Sequence, residues 1–333
     1  MQLILVLPAL FDEGADTPAP ARARALAQLM AQAGAPERQG GGIAGALAAQ
    51  YGIARQGDWP LAAIRLAALG FEPGDSYWLA ADPVTVEVGL TSAEIAGVVD
   101  DLGRGEADAL LATLNAHFAG DELAFVAPRP DRLFVRAATG VRLTTVPTAA
   151  ALRRPLRPLL PQGPDAAIWR RWQSEIEMLL HEHPVNVERE RAGRAQVSSL
   201  WFSEGGTLPP RATATIAMFA TDGTASALAA YAGTPARSLP ADFRHAQAEA
   251  GSVDSIVIVP DRVFDVASVD HAWAGPARDA LAAGSLDSFQ LIGEDAGDAV
   301  IWRARRPGLW QRIAGRFQAR DLRALLDAAR QAA

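Results

Sequence analysis

Cysteine is absent from the 333 residues, which excludes disulfides, thiolate nucleophiles and thiolate metal sites. Any metal would have to be held by carboxylate, imidazole or carbonyl oxygen. Imidazole is scarce too, since His117, His181, His183, His245 and His271 are the five histidines of the chain. No run of about 20 uninterrupted apolar residues occurs, so no transmembrane helix and no membrane partner are expected. Met1 to Leu7 is apolar but too short for a signal peptide, carries no positive charge after the amino terminus and meets Pro8 at once. A cytoplasmic protein is the expectation. A net charge of −7 argues against a surface built to grip nucleic acid. Apolar residues, by contrast, make up 50% of the chain, ample for one or two cores.

Arginine is frequent throughout the chain and gathers towards its carboxy terminus. From Val300 onward stand Arg303, Arg305, Arg306, Arg312, Arg316, Arg320, Arg323 and Arg330 against Asp321 and Asp327. This could serve as an anion-binding patch, but arginines on the solvated faces of amphipathic terminal helices are the plainer reading.

Along the chain, Gln2 to Leu7 reads as a buried strand ended by proline. A helix is expected from Pro18 to Ala33, with Thr17 as N-cap and Gly34 past its end. Gly40-Gly41-Gly42 precedes a second helix, Ile43 to Tyr51, and invites a phosphate-loop reading, but no preceding strand and no Gly-Lys-Ser/Thr accompany it. A short helix at Leu61 to Leu69 leads to strands at Tyr77 to Leu79 and Val84 to Val88. Ile95 to Val99 fits helix and strand equally. Glu106 to Phe118 reads as helix, and Leu123 to Val126 with Leu133 to Val135 as a hairpin across Pro128-Arg129-Pro130. Beyond Gly193 strands alternate with helices: strands at Ser199 to Phe202, Thr215 to Phe219, Ile256 to Val259, Phe289 to Ile292 and Ala299 to Arg303, helices at about Ala225 to Tyr231, Pro276 to Ala283, Leu309 to Arg316 and Asp321 to Ala332. The alternation predicts an α/β fold, a core sheet flanked by helices, formed by 1-70 and 197-333. A smaller α+β insert module spans 71-150, and 151-196 forms a proline-rich linker and a helix.

That helix carries the most concentrated chemistry. Trp169, Trp172, Ile176, Leu179 and Leu180 recur at helical spacing and commit one face to a core. His181-Glu182-His183-Pro184-Val185-Asn186, running on to Arg189, Arg191 and Gly193, stands where Pro184 must end the helix. A turn of this composition can bind something polar or tie two lobes together.

Phe71-Glu72-Pro73-Gly74-Asp75, Glu106-Ala107-Asp108, Leu159-Leu160-Pro161-Gln162-Gly163-Pro164 and His183-Pro184-Val185-Asn186-x-x-Arg189-x-x-x-Gly193 occur in an order that resembles the archaeal-type cofactor-independent phosphoglycerate mutases. Asp58-Trp59-Pro60, Tyr77 through Val84, Leu114-Asn115-Ala116-His117-Phe118 and Leu179 through Asn186 carry a likeness, over nearly the whole length, to a bacterial family of RpfE-type regulatory proteins, degenerate relatives of those mutases. The resemblance implies an alkaline-phosphatase/phosphoglycerate-mutase-like core sheet. In the mutases it also implies two divalent metals and a phosphorylated serine. Here Leu7-Pro8-Ala9-Leu10 stands where an Asp-Gly pair would serve the first metal, and no serine follows the glycine-rich segment at the start of a helix. Leu79-Ala80-Ala81-Asp82-Pro83-Val84 replaces a polar Arg-Cys-Asn run, Ser198 an asparagine, and Ser203-Glu204 a Trp-Gly pair. Asp270-His271 imitates an Asp-His metal pair, but its usual companions, a following Thr-Pro and a later His, are missing, and a helix start with Asp270 as cap is the plainer reading.

The expectation is a non-catalytic regulatory or scaffolding protein with no cofactor, binding an unknown protein partner or a small phosphorylated metabolite. His183, Asn186, Arg189 and Arg191 are the candidate ligand-binding or interdomain hinge residues. Asp270 and His271 are the weak metal candidates. The alternative is an active metal-dependent phosphoglycerate mutase or phosphatase with a rebuilt site.

Overall fold

A computed structural model describes residues 1–12, 23–89, 92–137, 140–211, 214–260, 265–306 and 321–331. Thr17, Pro18 and the helix expected at Leu309 to Arg316 lie outside these. The chain is a mixed α/β protein with two sheets flanked by helices. It forms two compact units, Met1–Ile53 with Arg211–Ala333, and Ala54–Pro210. The sequence reading sets its divisions elsewhere, at 70/71, 150/151 and 196/197. Among the described residues no helix is long and apolar enough to cross a membrane.

The first unit begins with β1 (Gln2–Leu7), α1 (Arg24–Ala33), β2 (Glu37–Gly40) and α2 (Gly42–Gln50). The second unit follows. It holds α3 (Leu61–Ala68), β3 (Tyr77–Val88), β4 (Ala93–Val98), α4 (Arg104–His117), β5 (Ala124–Arg129), β6 (Arg132–Ala137), α5 (Thr148–Ala151), α6 (Ala166–His181), α7 (Pro184–Arg191) and β7 (Ser199–Gly206). The chain then completes the first unit with β8 (Ile216–Ala220), α8 (Gly223–Tyr231), α9 (Phe243–Ala250), β9 (Ser255–Val259), α10 (Val266–Val269), α11 (Gly275–Ala283), β10 (Ser288–Asp295), β11 (Asp298–Arg305) and a last helix, Leu322–Gln331.

In the first unit six strands lie in the order β2-β11-β10-β1-β9-β8. β10, β1, β9 and β8 run parallel, β11 pairs antiparallel with β10, and β2 pairs antiparallel with β11. Strand side chains alternate between faces. Leu3, Leu5 and Leu7 therefore enter one core with Leu26 and Met30 of α1, Leu281 of α11 and Leu322 of the last helix. Ile4 and Val6 are equally buried on the opposite face. Coverage of both faces explains why β1 is a continuous apolar run.

Two helix starts in this unit are completed by carboxylates distant in sequence. Ala23, before α1, offers no side-chain cap; Asp270 supplies it, accepting from the Leu26 amide at 2.6 Å and the Ala25 amide at 3.2 Å. At α2, Gly41 and Gly42 take positive φ, and Glu294 accepts from the Ile43 amide at 2.9 Å. A Cβ on Gly42 would fall 2.6 Å from the Glu294 Oε2. The anion site that a glycine-rich helix start offers is thus occupied by the protein's own carboxylate.

In the second unit β3 is central. β7 lines one edge along Trp78 to Val84, while β6 pairs with Tyr77 to Ala80 and β4 with Val84 to Val88. The expected pair of short strands is one strand, because Pro83 falls between the β6 and β4 pairings, where its missing N–H interrupts neither ladder. Tyr77, Leu79 and Ala81 face Leu110, Leu114, Trp169 and Ile176 of α4 and α6, and Trp78 and Ala80 face Ala62, Ala63 and Leu66 of α3. Helix α6 therefore belongs to this core. So does β7, which the alternation beyond Gly193 assigns to the other sheet. The ambiguous segment near Ile95 is a strand, β4.

Because Asp270 caps a helix that has no cap of its own, Asp270→Ala should destabilise the protein by about 1 kcal/mol, read as a lower denaturant midpoint at unchanged slope. Asp270→Asn keeps an acceptor and should cost less. The neighbouring His271 is exposed, and His271→Ala should leave the midpoint where it is.

Candidate functional site

Helix α6 buries Trp169, Trp172, Ile176 and Leu180 at the predicted spacing and stops at His181. Pro184 does not mark the end of helical structure, because it sits at the first position of α7, where its missing N–H costs nothing. His183 becomes the N-cap of this new helix. Its backbone is extended (φ −63°, ψ 135°), and its Nδ1 accepts from the Val185 amide at 3.2 Å. An accepting Nδ1 carries no proton, so the neutral ring bears its hydrogen on Nε2. That nitrogen meets Thr113 Oγ1 of α4 at 2.9 Å. Burial lowers the His183 pKa below its ordinary value, opposed by a hydrogen bond to the Ala109 backbone. His181, two residues earlier, is exposed.

Asn186 is 2% exposed and bonded at both ends of its amide. Its Nδ2 donates to the Leu180 carbonyl at 2.7 Å and the Val197 carbonyl at 2.8 Å, and its Oδ1 accepts from the Val197 amide at 2.8 Å. The side chain thereby gives the end of α6 and the approach to β7 the pairing that a buried backbone requires.

Arg189 is 0% exposed, with its guanidinium fully occupied. Nε donates to the Ala195 carbonyl at 2.6 Å, Nη1 lies 3.2 Å from Glu106 Oε2, and Nη2 pairs with Asp101. Glu106 also receives Arg194 Nη2 at 2.6 Å and the Gly103 amide, at the start of α4, at 2.8 Å. All 31 basic residues of the chain are arginine, and here the planar fork reaches three acceptors that one ammonium could not. Burial would push the Glu106 pKa up; the Gly103 amide, Arg194 and Arg189 outweigh it and hold the carboxyl below its ordinary value. The hydrogen bond from Arg189 holds Asp101 below its own. Arg191 stands apart, exposed and paired with Glu188 at 2.5 Å.

The structure therefore gathers His183, Asn186 and Arg189 but not Arg191, and every partner named for the three belongs to the Ala54–Pro210 unit. An anion pocket needs a cation turned towards open space. The Arg189 guanidinium is turned towards Glu106 and Asp101.

The metal candidates are separated from one another in purpose. Asp270 is spent on the amides of α1, and His271 is exposed. Among the described residues no three His, Asp or Glu side chains are placed to hold a metal ion.

A second buried polar cluster lies in the same unit and was not legible from sequence as a unit. Asp58 accepts from the Thr145 amide at 2.9 Å and from the Thr145 hydroxyl. Asp82 accepts from Thr148. Glu204, in left-handed conformation at φ 62°, lies 2.9 Å from Arg65 Nη1. Burial raises the pKa of Asp58 and of Glu204, and for Glu204 the charges of Asp82 and Asp58 add to the rise. The available signal was Asp82 within the apolar stretch Tyr77 to Val84 of β3, and Glu204 soon after the apolar run Leu200 to Phe202 of β7.

No family model matches the chain, and no curated protein does. Among solved structures it is similar to the cofactor-independent phosphoglycerate mutase from Thermoplasma acidophilum, at 15% identity and a TM-score of 0.45, with 99% of this chain and 98% of that one covered. It is also similar to the PH0037 protein from Pyrococcus horikoshii, at 13% identity and a TM-score of 0.43, over 91% and 87% of the two chains.

Two outcomes follow from the geometry. Arg189→Met should destabilise by roughly 3 kcal/mol, the scale of breaking a buried pair, with relief where the half-exposed Asp101 regains water. Since both carboxylates have depressed folded-state pKa values, their stabilisation is complete above the ordinary carboxylate range and fades as pH falls through the folded values. That acid dependence should be shallower in Arg189→Met, measured by urea unfolding against pH. For His183 the folded pKa is depressed below 6.5, so its stabilisation is present above that pH and shrinks as pH falls from there. His183→Asn keeps a capping acceptor but gives up the bond to Thr113, so stability at pH 7 should fall by about 1 kcal/mol while the decline below 6.5 flattens.

Proposed function

We propose that the chain is a non-catalytic regulatory or scaffolding protein, a cytoplasmic pseudoenzyme of the RpfE-type lineage that the motifs around Asp58, Tyr77 and His183 resemble. It acts by holding a rigid surface for a protein partner or for a small phosphorylated metabolite. The observation that carries this reading is the guanidinium of Arg189, wholly buried and neutralised by Glu106 and Asp101. In the mutases that the motifs resemble, the chemistry draws on closely spaced metals and free cations to balance a transferring phosphoryl group. Here the most motif-rich segment of the chain spends its cation, its imidazole and its amide on joining α4, α6, α7 and β7. His183, Asn186 and Arg189 serve as a brace that keeps this unit in one shape.

The test is an assay of 3-phosphoglycerate turnover by the full chain with manganese or zinc added, run beside a thermal-shift screen of the same metals and phosphoglycerates. No turnover is expected, and no metal should raise the melting temperature. A saturable ligand at about 100 times its dissociation constant would stabilise by about 2.7 kcal/mol, so binding would not be missed. Metal-dependent turnover would overturn the reading in favour of an active mutase or phosphatase.

A further inference from the structure

The first unit contains a polar concavity far in sequence from the segments that carry the motifs. It measures about 250 Å³ and is lined by Gln2, Gln50, Ser288, Phe289, Gln290, Arg303 and Arg305. The strand registers explain how these residues meet. Gln2 stands opposite Ser288, Ser288 opposite Arg305, and Gln290 opposite Arg303. Residues directly paired across a sheet point to the same face, and so do residues two apart along a strand. Gln2, Ser288, Gln290, Arg303 and Arg305 thus form one continuous polar patch. It lies on the face opposite the core that takes Leu3, Phe289 and Leu291. Helix α2 packs against β10 and β11, and Gln50, its last residue, adds to the lining.

Gln290 shows that this patch is more than a solvated sheet end. The residue is 1% exposed, its Oε1 accepts from Gln2 Nε2 at 2.8 Å, and its Nε2 has no partner among the described residues. A buried amide donor left unpaired forfeits its hydration without replacement, and native proteins rarely retain one without a use. Two guanidinium groups line the same concavity. Arg303 is paired with Glu37, while Arg305 has no ion-pair partner among the described residues. The side chains of Gln2, Gln50 and Ser288 are neutral and can both donate and accept, whereas the charge of the two arginines and Glu37 together is positive. The ligand that completes such a set is an acceptor with negative charge.

We propose that this concavity binds a small oxyanion, a phosphate or carboxylate group. Its oxygens would accept from Gln290 Nε2 and from the guanidinium groups of Arg305 and Arg303. The size admits a group of a few heavy atoms and excludes a dinucleotide. The position is also distinctive. Gln2 and Ser288 are the first residues of parallel strands, whereas open α/β sheets ordinarily bind ligands beyond the strands' carboxyl ends. The inference is independent of the role given to His183, Asn186 and Arg189, which lie in the other unit.

Calorimetric titration of the full chain with inorganic phosphate and, separately, with malonate tests it, at constant ionic strength set by chloride. Saturable binding of at least one of the two at one site per chain is expected. Arg305→Gln should weaken it by about tenfold or more, the loss of one charge-assisted hydrogen bond. Gln290→Leu should weaken it as well, while Arg244→Gln, an exposed arginine of α9, should not. Circular dichroism and the melting temperature without ligand establish that the variants are folded. Absence of saturable binding by either anion would overturn the proposal. So would binding that survives Arg305→Gln, or that is lost instead on Arg191→Gln, which would place the anion in the other unit.

Discussion

The buried guanidinium of Arg189 sets the arrangement of the Ala54–Pro210 unit. A cation taken out of water is tolerated only where its hydrogen bonds are replaced and its charge is met. Glu106 and Asp101 meet the charge, and the Ala195 carbonyl takes the remaining donor. Each acceptor comes from a different stretch of chain: Asp101 from the loop before α4, Glu106 from its first turn, and Ala195 from the loop beyond α7. Satisfying one side chain therefore fixes the start of α4, the axis of α7 and the approach to β7. Asn186 and His183 add to the same joint, the first by pairing backbone on either side of α7, the second by capping α7 and touching α4. These side chains serve each other and the backbone, so little of the segment's chemistry is left for an external ligand.

The first unit solves a related problem differently. Two of its helix starts are closed by carboxylates distant in sequence, Asp270 on α1 and Glu294 on α2. Elsewhere in the unit, Gln290 on β10 and Arg305 on β11 keep groups without a partner among the described residues. The contrast between a fully satisfied joint and a concavity with spare donors is what separates an architectural cluster from a candidate binding site.

Much of this was legible in the sequence where local pattern decides structure. The helical spacing of Trp169, Trp172, Ile176 and Leu180 placed α6, and short branched runs placed β1, β8, β9, β10 and β11. Context-dependent signals were not legible. Pro184 reads as a helix stop from one side and as a first helical residue from the other, and only the packing of α7 decides. Pro83 splits β3 in sequence, but its neighbours on either side pair with two different strands. The partners of Arg189 lie 83 and 88 residues away, and the helix capped by Asp270 lies 244 residues away. No spacing rule reaches so far. The polar concavity was hidden for the same reason, since Gln2, Gln290 and Arg305 become neighbours only through the order of strands in the sheet.

Arg189 and Glu106 act on each other as a structural joint, and a double-mutant cycle measures that directly. Unfolding free energies of the wild type, Arg189→Met, Glu106→Gln and the double variant give the coupling between the two sites. A joint of this kind predicts a favourable coupling of about 2 kcal/mol, within the range for residues in one buried network. Additive effects, with a coupling near zero, would mean that the buried guanidinium stands free of Glu106 and would contradict the account.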